Sequence, residues 1–154
     1  MQEVLDHAPV PVLVIGPEAD TAQGLPMTEI VVSTDGSEDS EQILPLAADW
    51  ARSMKLGLTL VGVASEKSDS TTAETDYLEE RIAEIRNQVP DAKYELIRAA
   101  DPVEGLLGFM DARTDAILAM STHGRTGTGR ASLGGVAHQV VARCKRAVLL
   151  RRPT

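Results

Sequence analysis

The sequence predicts an α/β domain in which a doubly wound parallel sheet is covered on both faces by helices. Three observations predict it. Short apolar, β-branched runs alternate along the chain with segments of helical periodicity. Those runs are apolar throughout instead of alternating in polarity, as strands buried on both faces must be. At 154 residues and 43% hydrophobic content, the chain is sized for one packed core. The alternation begins at Thr28, so residues 28–154 are expected to form the domain and residues 1–27 an N-terminal arm and linker.

Glu29 to Thr34 (EIVVST) is the first strand of this domain, ending at Asp35-Gly36-Ser37. Ser37 is placed to cap the following helix, with Glu38 and Asp39 in its first turn. Ile43, Leu46, Ala47, Trp50 and Met54 form that helix's apolar stripe, and Pro45 inside it removes a backbone hydrogen bond and predicts a bend. Leu58 to Ala64 (LTLVGVA) is the second strand. Ser65 to Thr75, rich in Ser and Thr, predicts a mobile loop, and Leu78, Ile82, Ile85 and Val89 the face of a helix that Pro90 stops. Tyr94 to Arg98 is the third strand; Asp101-Pro102 opens a helix through Val103, Leu106, Leu107 and Met110. Ala116 to Ser121 (AILAMS) is the fourth strand. A glycine-rich loop then leads into a helix bearing Val136, Val140, Val141 and Cys144, and Ala147 to Leu150 is the fifth strand.

The arm carries a short internal repeat. Set without a gap beside Val140 to Pro153, the segment Val4 to Pro17 matches at Val4, Val12, Leu13 and Pro17, which fall on Val140, Val148, Leu149 and Pro153. This segment reads either as a copy of the last helix and strand, the remnant of a preceding domain, or as an unrelated apolar arm. As a copy, Val10 to Ile15 is expected to pair antiparallel with Ala147 to Leu150, within the chain or swapped between chains, because an unpaired sheet edge attracts a strand.

Composition excludes several classes. No apolar run reaches the roughly 18 residues of a membrane span, and the N-terminus lacks the pattern of a secretory signal. The single cysteine, Cys144, cannot form an internal disulfide or a thiolate zinc site, which fits a cytoplasmic protein. The net charge of −8 argues against nucleic acid as a partner. That charge is unevenly spread: residues 121–154 contain no Asp or Glu and carry Arg125, Arg130, Arg143, Lys145, Arg146, Arg151 and Arg152. Helix-end and sheet-edge roles account for five of these cations; Arg125 and Arg130 fall outside that explanation.

Both lie in Gly124-Arg125-Thr126-Gly127-Thr128-Gly129-Arg130-Ala131-Ser132-Leu133-Gly134-Gly135, which holds five glycines in twelve residues. Glycine admits close approach of backbone amides to an anion, and the helix that follows offers its N-terminal N–H groups and dipole. The segment reads as a phosphate cradle, against the alternative of a glycine-rich surface loop without a ligand. It is not a P-loop, since Arg130 and Ala131 stand where Lys and Ser/Thr are required. It is not a dinucleotide fingerprint either, since Ser132 replaces the last glycine.

Val32-Ser33-Thr34-Asp35-Gly36-Ser37, Asp115 through Met120, and Ser121-Thr122-His123-Gly124-Arg125-Thr126-Gly127 up to Gly134 together resemble the universal stress protein family, over Thr28 to Pro153. The resemblance implies an adenine-nucleotide alpha-hydrolase-like fold, a five-stranded parallel sheet in the order 3-2-1-4-5. It also implies ATP binding through Gly-x2-Gly-x9-Gly-(Ser/Thr). Here Gly124-x9-Gly134 is intact, while Ser121 replaces the first glycine and Gly135 the final hydroxyl residue. Carried over by position, the resemblance sets Asp35 and Val63 against the adenosine and Met120 and Ser121 beside it. Gly124, Gly134, Gly135 and Val136 then offer backbone groups to the phosphates, with Gly127 in the same loop. Arg125 and Arg130 can offset the missing hydroxyl, because guanidinium suits phosphate.

Asp35 also has a reading from its own position: a carboxylate at a strand's carboxyl end accepts from ribose hydroxyls or braces the next helix. Three functions follow as alternatives: an ATP-binding regulatory domain, with Mg2+ accompanying the phosphates; an association module without nucleotide, which Gly135 favours; and a weak ATPase. His123 is expected to hydrogen-bond the loop backbone, and no nucleophile pair or metal cluster can be assembled around it. The resemblance further implies a homodimer through the last strand, and the internal repeat adds the N-terminal strand as a candidate participant at that edge.

Overall fold

The computed structural model describes residues 2–22, 24–123 and 135–154. Along the chain these form α1 (Gln2–His7), β1 (Val12–Val14), β2 (Glu29–Ser33), α2 (Glu38–Glu41), α3 (Leu44–Met54) and β3 (Gly57–Ser65). Then follow α4 (Thr72–Ile85), β4 (Lys93–Ala99), α5 (Pro102–Asp111), β5 (Ala116–Ser121), α6 (Gly135–Arg143) and β6 (Val148–Arg151). The sheet runs β1-β6-β5-β2-β3-β4. Its five domain strands are parallel and keep the expected order. The expectation of five strands is corrected to six: β1 joins the β6 edge antiparallel, with Val12 opposite Leu150, Leu13 opposite Leu149 and Val14 opposite Val148.

Strand geometry sends successive side chains to opposite faces, so the continuous apolar runs feed two cores. Ile30, Val32, Leu58 and Leu60 pack under α3 and α4 with Ala47, Ala51, Leu78 and Ile82. Val31, Val61, Leu118 and Val148 pack under α5 and α6 with Leu106, Met110, Val140 and Val141, and the arm adds Leu5 and Val14 to this second cluster.

Three local expectations change. Pro45 does not bend a helix interior; it sits in the first turn of a new helix, where a missing N–H costs nothing, and Gln42 and Ile43 separate α2 from α3. The inward face of α3 is Leu44, Ala47, Ala48 and Ala51, whose small side chains bring the helix close to the sheet; Leu46 and Trp50 are only partly buried and Met54 is exposed. The polar loop after β3 is shorter than expected, because α4 begins at Thr72.

Much of the cationic C-terminal segment has structural partners. Arg143 pairs with Glu104 at 2.7 Å, Arg146 donates to the Arg113 carbonyl at 2.8 Å, and Arg152 donates to the Asp6 carbonyl.

Candidate functional site

β2 turns toward β3 and β4 on one side of the sheet, while β5 and β6 lie on its other side, so the winding reverses between β2 and β5. Loops leaving the carboxyl ends of those two strands diverge and leave a crevice. It is a cavity of about 410 Å³, inside the roughly 300–1,000 Å³ of small-molecule sites. Asp35 reaches it from the end of β2, Val63 from β3, Met120 and Ser121 from β5, and Gly135 and Val136 from the start of α6. A neighbouring hollow of about 390 Å³ lies between β3 and α4 and shares Thr34, Asp35, Val63 and Glu74 with it. Gly124, Arg125, Gly127, Arg130 and Gly134 lie outside the described residues.

The β2 turn is fixed by hydroxyl chemistry. Asp35 Oδ1 accepts from the Ser37 N–H at 2.9 Å and from Ser37 Oγ at 2.6 Å, while Ser37 Oγ accepts from the Ser40 N–H at 3.2 Å. Ser37 is therefore the cap of α2, and Asp35 holds that cap in place. Behind it, the buried Thr34 Oγ1 accepts from the Gly36 N–H at 3.1 Å and lies 2.8 Å from Ser40 Oγ and 3.1 Å from the Tyr77 hydroxyl. Tyr77 donates to Glu41 Oε1 at 2.7 Å, and Arg81 Nε lies 3.0 Å from the same oxygen. Half-buried, the Tyr77 hydroxyl is pushed up to about 12, first by loss of water and then by the Glu41 carboxylate, with the Thr34 hydrogen bond opposing.

Sequence reasoning missed this Thr34–Ser40–Tyr77–Glu41 network, although Ser37-x2-Ser40 directly after a strand has capping-box spacing. It also missed Glu74, Pro102 and Leu106, which line the crevice from α4 and α5.

At the β5 end, Ser121 Oγ donates to the Arg151 carbonyl at 3.2 Å and the Thr122 N–H to the same oxygen at 2.9 Å. The hydroxyl that replaces a glycine is thus turned onto β6. His123 is buried, and its Nδ1 lies 2.9 Å from Thr122 Oγ1; the loop backbone it is expected to meet lies outside the described residues. Among the described residues no group of three or more His, Cys, Asp or Glu could hold a metal ion. Cys144 is buried away from the crevice, and burial pushes its thiol up. Two polarities meet in the cavity: carboxylates at Asp35 and Glu74, and the N-terminal N–H groups of α6, which attract anions. The arrangement suits a ligand with hydroxyls at one end and negative charge at the other.

Residues 27–152 match the model of the universal stress protein family. No curated protein sequence matches the chain. Among solved structures, a universal stress protein in complex with cAMP superposes with a TM-score of 0.69 at 21% identity, over 84% of this chain and 99% of that one. A universal stress protein from Archaeoglobus fulgidus in complex with dAMP gives 0.63 at 19% identity, over 82% and 98%. A putative universal stress protein from Pseudomonas aeruginosa UCBPP-PA14 gives 0.66 at 26% identity, over 97% of this chain and 55% of that one, so here the chain spans about half its neighbour's length. Among the described residues no helix is long and apolar enough to cross a membrane.

Proposed function

The chain belongs to the universal stress protein family, and from that premise we propose that it is a stress-response regulatory protein that binds ATP, or a related adenine nucleotide, in the crevice between β2 and β5. One observation carries this reading: Asp35, Val63, Met120, Ser121, Gly135 and Val136 come from four separate elements and converge on one cavity. Asp35 accepts from the ribose hydroxyls, with Val63 against the base. The first N–H groups of α6 face the phosphates. Gly124, Gly127 and Gly134 bring further amides, Arg125 and Arg130 neutralise charge, and Mg2+ rides on the phosphate oxygens. Adenine nucleotides accompany two of the structurally similar proteins, as cAMP and dAMP.

Binding is itself the output: a filled crevice changes the surface presented to other proteins. Acid extraction of the purified protein followed by mass analysis tests this, together with thermal unfolding in millimolar Mg-ATP. The reading expects an adenine nucleotide in the extract or a raised Tm. Their joint absence removes it.

A second reading, an association module of the same family without nucleotide, is favoured by Gly135, which provides no hydroxyl where the family pattern has Ser or Thr. It expects neither extract nor shift, and an unchanged response when a hydroxyl is restored at that position.

A further inference from the structure

The hollow between β3 and α4 differs in chemistry from the crevice beside it. Its volume of about 390 Å³ is enough for a small organic molecule. Apolar side chains make most of its wall: Val63 from β3, Leu96 from β4, and Ala73 and Leu78 from α4. Gly62 lines it as well and contributes only backbone. The N-terminus of α6, which draws anions to the far end of the crevice, borders the crevice and not this hollow.

Among the described residues that line the hollow, the charged side chains are Asp35 and Glu74, and there is no Lys, Arg or His. A third carboxylate, Glu41, stands behind the Tyr77 hydroxyl. The three are used differently. Asp35 Oδ1 holds Ser37, and Glu41 holds Tyr77 and Arg81. Glu74, partly buried in the first turn of α4, has no hydrogen bond or ion pair among the described residues. Cations on the flanking elements are engaged elsewhere. Arg81 pairs with Glu41 at 3.0 Å and Glu84 at 2.8 Å, and Arg98 donates to the Glu66 and Ser68 carbonyls at 3.3 and 2.6 Å. A carboxylate beside apolar walls gains more from a cation than one in open water, because the local dielectric is lower.

We propose that this hollow is a second ligand site, for a small molecule that joins an apolar, ring-sized body to a protonated amine, with Glu74 as the counter-ion. The body takes water off Val63, Leu78 and Leu96. The amine donates charge-assisted hydrogen bonds to the Glu74 carboxylate. An anionic molecule of the same shape is refused by Asp35 and Glu74. Both carboxylates also border the crevice, so an ammonium here offsets negative charge at the crevice's hydroxyl-binding end. Neither the apolar walls nor Glu74 requires an occupied crevice, and the site is independent of nucleotide.

Backbone amide shifts of the full chain, without nucleotide, test this in three titrations: tryptamine, its neutral isostere tryptophol, and the anion indole-3-acetate. Tryptamine is expected to give saturable shifts at Gly62, Val63, residues 73–78 and Leu96. Tryptophol should bind roughly tenfold or more weakly, the worth of one hydrogen bond to a charged group, and indole-3-acetate should leave these amides in place. Glu74→Gln is expected to keep the wild-type far-UV spectrum and to bring tryptamine down to the tryptophol level. Asp76→Asn removes an exposed carboxylate of the same helix that does not line the hollow, and should bind tryptamine as wild type does. No saturable shift from tryptamine at millimolar concentration, or shifts confined to other residues, overturns the proposal. So does equal affinity for tryptophol, or an equal loss in Asp76→Asn. Should Glu74→Gln disturb the fold, the three ligands on the wild-type chain decide the outcome.

Discussion

At the residue scale, Asp35 serves two ends with one side chain: Oδ1 holds Ser37 and so the cap of α2, while the carboxylate borders the crevice. The two roles separate by mutation. Asparagine keeps an oxygen for Ser37 and loses the charge; alanine loses both. Asp35→Asn is expected to keep the wild-type Tm and lower Mg-ATP affinity, and Asp35→Ala to lower affinity further and cost about 0.5–2 kcal/mol of stability, as lost caps do. Calorimetric titration and thermal unfolding read the two effects independently.

Gly135 offers the reverse experiment. A Cβ added there meets no described atom within 4 Å, and its φ requires no glycine. Gly135→Ser restores the hydroxyl of the family pattern, and one hydrogen bond to a charged group is worth about 1.5–3 kcal/mol, or roughly tenfold to hundredfold in affinity. A titration in which Gly135→Ser binds Mg-ATP no better than wild type contradicts this role for the position.

Asp35 stood out in the sequence as a carboxylate where an apolar run stops, whereas Val63, Met120 and Ser121 were placed at the crevice by the resemblance. Tyr77 was marked by neither, because α4 reaches the β2 turn only through the crossover, and a half-buried tyrosine on a polar helix carries no local mark.

At the element scale, α4 is tied to the β2 turn by the chain from Thr34 through Tyr77 to Glu41 and Arg81. Tyr77 has its folded value near 12 against 10.0 for the free side chain. An acid whose folded value is raised holds its proton in the native state while the unfolded chain gives it up. Its contribution is intact below pH 10 and is lost as pH rises toward 12. Wild type should therefore lose more Tm across that window than Tyr77→Phe, and equal losses would place the tyrosine outside the network.

On the other face, α5 approaches the sheet through Gly105, where an added Cβ would lie 3.0 Å from Ala99 Cβ and 3.3 Å from Val63 Cγ1. Gly105→Val should cost about 1–3 kcal/mol by overpacking and, by moving Leu106 and Val63, weaken the crevice as well. Denaturant unfolding measures the first effect.

Elements were legible where periodicity and punctuation agreed, as at Asp101-Pro102, whose carboxylate accepts from the Val103 and Glu104 N–H groups. The α2–α3 break was not, since apolar spacing continues through Ile43 and a proline is compatible with a bend or a fresh start.

At the scale of the whole molecule, an acidic body carries a positively charged C-terminal segment, three of whose arginines have partners among the described residues. Arg143, Arg146 and Arg152 are engaged with Glu104, the Arg113 carbonyl and the Asp6 carbonyl. The parallel order of the sheet and the position of the crevice followed from strand count, apolar continuity and the resemblance. The antiparallel sixth strand followed from an internal repeat with only four identities, and its register was beyond reach because a sequence copy does not state which residues of the two strands stand opposite.

Whether the crevice between β2 and β5 takes an adenine nucleotide is tested most directly by backbone amide chemical shifts during a titration with Mg-ATP. The account predicts saturable shifts at Thr34–Ser37, Val63–Ser65, Met120–Gly127 and Gly134–Ala137, with Thr28 and Asp115 at the opposite end of the sheet unmoved. A titration that leaves these amides in place, or moves only those on the arm and β6, contradicts it.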